Sequence, residues 1–161
     1  MNTYTYAEGN PISLSDHLGL RVDWGGYVLN NPLVRGNLEL LNLLIVQTGV
    51  PDDCFVIRVT GGDRYRDPNN PTVHRSSSNG SIVKDSSPTS PHLIERGARA
   101  VDFNIDNVQD PCACTVSVTN QLVDRLLLST NFLPANTSRA YPNAPHTHVA
   151  LPPSRAFWYV P

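Results

Sequence analysis

Apolar residues recur at helical spacing in two stretches of the chain. In the first stretch the apolar positions lie three or four residues apart: Val34, Leu38, Leu41 and Ile45. This spacing predicts a helix that begins at Pro32, with Asn31 as its N-cap, and ends before Gly49 and Pro51. The second stretch, Thr115 to Ser129, shows the same spacing and predicts a second amphipathic helix.

Three segments have the composition or alternation that is typical of strands: Cys54 to Thr60, Ala98 to Ile105 and His146 to Leu151. A further short strand is expected near Tyr27 to Leu29. One face of the middle segment is expected to join the core: Arg99, Val101, Phe103 and Ile105. Asp102 lies on the opposite face between small residues, so a ligand has room above its carboxylate.

Together these elements predict an α+β fold with a small, mostly antiparallel sheet flanked by two main helices. The length of 161 residues fits one domain, whose residues 1–31 are expected to form an irregular N-terminal segment. Residues 61–91 are almost entirely polar, Gly or Pro, which predicts a long loop without secondary structure. Loops of this length in a compact domain tend to be functional or mobile.

Charge and hydropathy exclude two classes of partner. The net charge is −2 and no basic block occurs, so nucleic-acid binding is not expected. No apolar run approaches the length of a membrane span, and the first residues lack the basic and apolar regions of a secretory signal. We expect a monomer, and the sequence does not indicate where the protein acts.

The three cysteines, Cys54, Cys112 and Cys114, carry little information. Their odd number favours structural or free thiols, with a disulfide from Cys54 as the alternative. The C-x-C pair could supply soft metal ligands, but no second cysteine pair accompanies it.

Histidine and aspartate residues suggest a metal site. His92 lies ten residues before Asp102, and His146 and His148 form an H-x-H pair on a predicted strand, where both rings face the same side. Two imidazoles and one carboxylate suit zinc and leave a fourth position for water, whose pKa then falls to about 7. Each of these residues alone also has an ordinary structural explanation.

Three segments, in order, resemble a known family. Residues 90–103, SPHLIERGARAVDF, resemble the S-x-H-x-x-G-x-A-x-D motif of the D-alanyl-D-alanine carboxypeptidase and endolysin group of zinc peptidases (peptidase family M15). The fold of that group is related to the Hedgehog signalling domain. Residues 146–149, HTHV, resemble its closing H-x-H strand, and residues 59–67, VTGGDRYRD, resemble the strand and arginine that precede the first zinc ligand.

The resemblance implies a ligand set and a catalytic histidine. His92, Asp102 and His148 take the positions of the zinc ligands. His146 takes the position two residues before the last ligand, where the family has a residue that either supports the ligands or stabilises the transition state and is not itself a ligand.

The resemblance also implies substrate-binding residues. Arg64 matches the arginine that anchors a substrate carboxylate through a guanidinium fork, and Arg66 is the near alternative. Ser90 matches the motif serine, which supports the loop that bears the first ligand. A solvent-exposed loop charge is the ordinary alternative for Arg64.

Two departures from the family pattern have consequences. The family usually has seven residues from the first histidine to the aspartate, whereas this chain has ten, and we expect the surplus within Leu93 to Arg96 to form a short helical turn. Many members place a catalytic glutamate three residues before the last ligand, and others place a histidine five before it. Pro145 and Asn143 occupy these positions here.

The resemblance therefore does not assign the general base. His146 is the nearest titratable candidate, and the acids of the long loop are the others: Asp63, Asp67 and Asp85. The resemblance implies a zinc-dependent hydrolase of peptidoglycan stem peptides, of the D,D-carboxypeptidase or L-Ala–D-Glu endopeptidase type. The alternatives are a catalytically inactive, zinc-stabilised module that binds cell wall or protein, and an interaction domain whose metal-like residues are a coincidence.

Overall fold

The computed structural model describes residues 21–84, 86–109, 114–132 and 146–152. These residues form two helices and two mostly antiparallel sheets, so the predicted α+β class is confirmed, although the single predicted sheet is wrong. Residues 1–20 of the expected N-terminal segment lie outside the described residues, as do four positions considered above: Asp85, Cys112, Asn143 and Pro145.

Helix α1 spans Pro32–Gln47, as predicted. The side chain of Asn31 accepts a hydrogen bond of 3.0 Å from the backbone N–H of Leu33, which caps the first turn. The four predicted stripe residues are fully buried: Val34, Leu38, Leu41 and Ile45. The helix therefore presents this face to the core.

Helix α2 spans Asn120–Leu127, so the predicted start at Thr115 is wrong. The side chain of Asn107 binds both backbone groups of Val118, accepting from its N–H at 2.6 Å and donating to its carbonyl at 3.0 Å. These bonds hold the preceding segment against a strand end, and the helix begins only after Thr119, whose hydroxyl caps it.

The first sheet has four strands, which lie side by side in this order: β1 Val22–Asp23, β2 Phe55–Gly61, β6 Ala100–Asn107 and β7 Thr147–Ala150. Strand β1 is parallel to β2, whereas the other two pairings are antiparallel. The three main predicted strands are thus confirmed to within one or two residues at each end.

The short strand expected near Tyr27–Leu29 is wrong, because the chain forms β1 earlier and then turns. Asp23 accepts a hydrogen bond from the Gly25 backbone, and Gly25 and Gly26 have φ angles of +57° and +72°. These left-handed conformations favour glycine and reverse the chain after β1. The segment that follows contacts residue 63 through the carbonyl of Val28.

The long loop expected over residues 61–91 is also wrong over much of its length. Strands β3 Arg64–Asp67, β4 Asn70–Ser76 and β5 Ile82–Val83 form a second, antiparallel sheet in the order β3-β4-β5. Its strands show no apolar alternation, and polar side chains add contacts to the backbone pairing; Arg75 of β4, for example, binds Asp67 of β3. Apolar periodicity therefore could not reveal this sheet.

Cys54 and Cys114 form a disulfide, so free thiols are the wrong expectation for this pair. The bond joins the start of β2 to the segment before α2 and closes a loop of 60 residues that includes the whole second sheet. Cys54 is buried in the core, where the disulfide packs beside apolar side chains.

Candidate metal centre

Strand pairing places two of the three predicted ligands side by side. Asp102 on β6 lies directly opposite His148 on β7 in the antiparallel register. Opposed residues of such a pair project to the same face, and the two side chains meet with 2.7 Å between His148 Nδ1 and Asp102 Oδ1.

His92 reaches the same point from the segment between the two sheets. The loop that bears it is closed by Ser90, whose carbonyl accepts from Leu93 N–H and whose hydroxyl lies 3.4 Å from the His92 backbone nitrogen. The expected helical turn follows over Ile94–Arg96, and Gly97 ends it with a φ of +86°. The surplus residues of the motif are thereby absorbed before β6 begins.

The buried ring of His92 has a defined orientation. A carbonyl oxygen can only accept, so Nδ1 donates its hydrogen to the Gly62 carbonyl at 3.0 Å. In the neutral ring Nε2 then carries a lone pair, and this atom lies 3.2 Å from both Asp102 Oδ1 and His148 Nδ1. Hydrogen bonding of the second ring nitrogen to a carbonyl is the usual way in which a metal-binding histidine is oriented.

The three converging atoms suit a cation. A lone pair on His92 Nε2 that faces a carboxylate oxygen is repulsive unless a positive charge or a proton lies between them. The ligand atoms of a tetrahedral zinc site lie about 3.3 Å from one another, and two of the three separations here are 3.2 Å. His92, Asp102 and His148 could therefore hold a metal ion.

Burial and charge set the protonation of this cluster. Burial alone raises the pKa of Asp102, but hydrogen bonds and charge from His148 and His92 outweigh it and hold that pKa well below its ordinary value. Burial lowers the pKa of His92, although Asp102 opposes the shift. A neutral imidazole beside an ionised carboxylate is the state that a metal ion requires.

The predicted catalytic histidine lies at the edge of the cluster. His146 Nε2 is 3.9 Å from Asp102 Oδ1, and its side chain is 35% exposed, whereas that of His92 is 2% exposed. The H-x-H pair thus directs both rings to the same carboxylate, with His146 on the side open to solvent.

The second oxygen of Asp102 faces Arg64, the predicted substrate anchor. Arg64 donates from one terminal nitrogen to Asp102 Oδ2 at 3.1 Å and from the other to Ser86 at 3.3 Å. Within the part of the chain that the structure describes, these bonds use two of its five N–H donors. Arg66 points to other partners, since it binds Glu95 and the carbonyls of Pro71 and Pro88.

Two of the loop acids considered as general bases have other partners. Asp63 is buried and accepts a hydrogen bond from the Asn30 backbone, and burial raises its pKa. Asp67 accepts from Arg75, which lowers its pKa. Neither belongs to the group of converging ligand atoms formed by the described residues.

The structure adds two residues that sequence reasoning missed. His74 is buried on β4, and its Nδ1 lies 2.7 Å from the hydroxyl of Ser86, which also contacts Arg64. Both residues occur in the polar stretch that predicted a loop. No apolar pattern or motif surrounds them, so the sequence contained no signal for their contact.

A second group of potential ligands consists of Asp53, Cys54 and Cys114. Its two sulfur atoms are joined in the disulfide and cannot act as thiolates. Among the described residues, the histidine and aspartate cluster is thus the metal candidate with available donors.

Comparisons with known proteins do not extend this assignment. No protein-family model, no curated protein and no solved structure matches the chain. Within the described ranges, neither helix is long and apolar enough to cross a membrane. The geometry of the cluster and the motif resemblance are therefore the observations that point to a function.

Proposed function

We propose that this protein is a zinc-dependent peptidase that hydrolyses peptidoglycan stem peptides, with a Hedgehog/DD-peptidase-like fold. One observation carries the proposal: donor atoms of His92, Asp102 and His148 converge within 4.8 Å of one another. Two imidazole nitrogens and one carboxylate oxygen are the donor set of many catalytic zinc sites. The order and spacing of the surrounding motifs supply the peptidase part of the proposal.

A zinc ion at this site would polarise the scissile carbonyl and lower the pKa of water towards neutrality. Ser90 closes the loop that presents His92, and Gly62 fixes the orientation of that ring. His148 Nδ1 must present its lone pair to the ion, which places its hydrogen on Nε2.

The remaining polar groups have substrate roles. His146 is exposed enough to reach a substrate and donates a hydrogen bond to the developing oxyanion or transfers a proton to the leaving amine. Arg64, which has donors beyond those in its bonds to the described residues Asp102 and Ser86, binds a substrate carboxylate, and Arg66 is the alternative anchor.

A specific observation favours a second candidate function, a zinc-stabilised module that binds cell wall or protein without cutting it. One oxygen of Asp63 accepts from Asn30, Asp67 accepts from Arg75, and neither acid belongs to the ligand cluster. Pro145 and Asn143 stand where the family has its proton acceptors. In such a binding module, the zinc ion would stabilise the fold and take no part in catalysis.

Metal analysis of the purified protein tests the site. We expect one zinc per chain, and loss of that zinc in His92→Ala, because removal of one ligand leaves only two protein donors. His146→Ala is the matched control, since it should keep zinc and lose turnover by about 10²–10⁴-fold. Absence of zinc from the wild-type protein, or full zinc in His92→Ala, would refute the site.

Digestion of purified muropeptides tests the reaction. We expect shortened stem peptides in the mass spectrum, and their masses distinguish loss of a terminal D-alanine from cleavage between L-alanine and D-glutamate. Addition of a chelator should stop the reaction and added zinc should restore it. Intact muropeptides after incubation with the zinc-loaded protein would favour the binding module.

A further inference from the structure

Asp102 uses its two oxygens differently. Oδ1 contacts both His92 and His148, whereas Oδ2 contacts Arg64 at 3.1 Å. Strand β2 passes so close to Oδ2 that a Cβ atom at Gly61 would collide with it. The protein therefore encloses Oδ2 and leaves Oδ1 for the ion.

Arg64 is tied to the metal site at both its backbone and its side chain. Its backbone N–H donates to the His92 carbonyl at 3.0 Å, so β3 begins against the loop that bears the first ligand. Its guanidinium then bridges Asp102 and Ser86. The side chain is 17% exposed, so most of it is enclosed by the protein.

Ser86 extends this contact into the second sheet. Arginine can only donate, so the Ser86 oxygen accepts from Arg64. The same hydroxyl lies 2.7 Å from Nδ1 of His74, which is 2% exposed on the central strand β4. The other ring nitrogen, Nε2, is buried without a hydrogen-bond partner, so Ser86 is the polar anchor of this ring among the described residues.

These contacts form one continuous chain of hydrogen bonds: His74, Ser86, Arg64 and Asp102. The chain links the second sheet to the metal ligand on the first sheet. We propose that Ser86 and His74 are positioning residues, which act through Arg64 to hold Asp102 as a one-oxygen metal ligand. This inference rests on the metal site of the proposed function, and it does not require peptidase activity.

Arg64 can hold Asp102 in this way because it restrains rotation of the carboxylate group. A carboxylate with one free oxygen can rotate and exchange oxygens at the ion, whereas a guanidinium held at a second point restrains that rotation. Loss of partners that orient metal ligands typically weakens metal affinity or activity by about 10–100-fold. Without Ser86, the Arg64 guanidinium keeps its bond to Asp102 and loses its second fixed point.

Zinc affinity of the full chain tests the proposal, measured by competition with a chromogenic chelator. We expect Ser86→Ala to weaken zinc binding about 10-fold and Ser86→Thr, which keeps the hydroxyl, to restore it. Ser87→Ala is the matched control, because the neighbouring Ser87 is exposed and its hydroxyl contacts Thr89 instead. Its zinc affinity should equal that of the wild type.

Two further readouts separate positioning from a general loss of structure. The visible absorption spectrum of the Co²⁺-loaded protein should change in Ser86→Ala, whereas the far-ultraviolet circular dichroism spectrum of the metal-free variant should equal that of the wild type. In the Ser86→Ala background, His74→Phe should weaken zinc binding no further, because the chain of bonds is already broken. An additive loss would show that His74 acts independently and would overturn its part of the proposal.

Unchanged zinc affinity and an unchanged Co²⁺ spectrum in Ser86→Ala would overturn the inference as a whole. A wild-type protein that binds no zinc would overturn both this inference and the proposed function. A wild-type protein that binds zinc but leaves muropeptides intact would overturn only the peptidase assignment. The Ser86→Ala titration would then still decide the positioning role.

Discussion

The first sheet buries apolar side chains from every strand, whereas the strands of the second sheet bury only Asp67 and His74. The apolar residues of the first sheet pack with α1 and α2 into one core. Polar contacts hold the second sheet together, among them the bonds from Arg75 to Asp67 and to the Gly80 carbonyl.

This difference indicates that the two sheets contribute to the metal site in different ways. Asp102 and His148 lie on the sheet that the core makes rigid, so the spacing of the two ligands follows from strand pairing. Arg64 and His74 lie on the sheet held by hydrogen bonds, and their contacts lead towards Asp102. We expect substitution of the buried apolar residues of the first sheet to lower stability, and loss of the polar contacts that join the second sheet to Asp102 to change the metal site.

The disulfide has the largest expected effect on stability, because the loop that it closes contains the second sheet. Removing it in Cys54→Ser should lower the free energy of unfolding by about 4 kcal/mol, as loop-closure entropy predicts for a loop of 60 residues. Urea unfolding with and without a reducing agent measures this. Cys114→Ser should lower the free energy of unfolding by the same amount. A reducing agent should not lower it further in either variant, because the Cys54–Cys114 bond is already absent.

A matched pair of valines compares the two sheets directly. Val101 in β6 is fully buried in the core, whereas Val73 in β4 is half-buried. Val101→Ala should lower the free energy of unfolding by about 2–3 kcal/mol, because it removes two methyl groups and leaves a cavity. Val73→Ala should cost less than about 1 kcal/mol. Equal losses in urea unfolding would contradict the proposed difference between the sheets.

The pH dependence of stability should reveal the buried histidine of the second sheet. Burial lowers the pKa of His74, Arg66 and Arg64 lower it further, and Glu95 opposes them. Below about pH 6.5 the unfolded chain therefore binds a proton that the folded chain does not, so stability falls as the pH decreases.

His74→Phe removes this contribution to the pH dependence. In metal-free protein, the decrease in unfolding free energy between about pH 7 and 5 should be shallower in this variant than in the wild type. Part of the decrease should remain, because burial also lowers the pKa of His92. Parallel curves for the two proteins would show that His74 does not titrate differently in the folded state.

The smallest effect is expected at a polar contact on the first sheet. Arg58 forms ion pairs with Asp23 and Asp106, but half of its side chain is exposed to solvent. Such exposed pairs add little stability in water, so Arg58→Gln should leave the urea midpoint unchanged within error. A large decrease that disappears at high salt would show that polar contacts also stabilise the first sheet.

Local patterns were sufficient for the elements that carry the core. The stripe of α1, its Asn31 cap and the alternation in β6 predicted those elements correctly. The H-x-H spacing and the motif around Asp102 predicted a cluster that the structure does bring together. Apolar periodicity and the H-x-H spacing are properties of neighbouring residues, so a single sequence contains them. The pairing of Asp102 with His148, 46 residues later, was instead implied by the motif resemblance.

Only the tertiary structure decided the rest. The second sheet, the Cys54–Cys114 disulfide and the contact between Ser86 and His74 join residues that are distant in sequence or lie in polar segments. The late start of α2 likewise follows from Asn107, which binds Val118 from the end of another element. Polar groups bind the partners that the fold brings close to them. Their spacing along the chain does not show which partners those are.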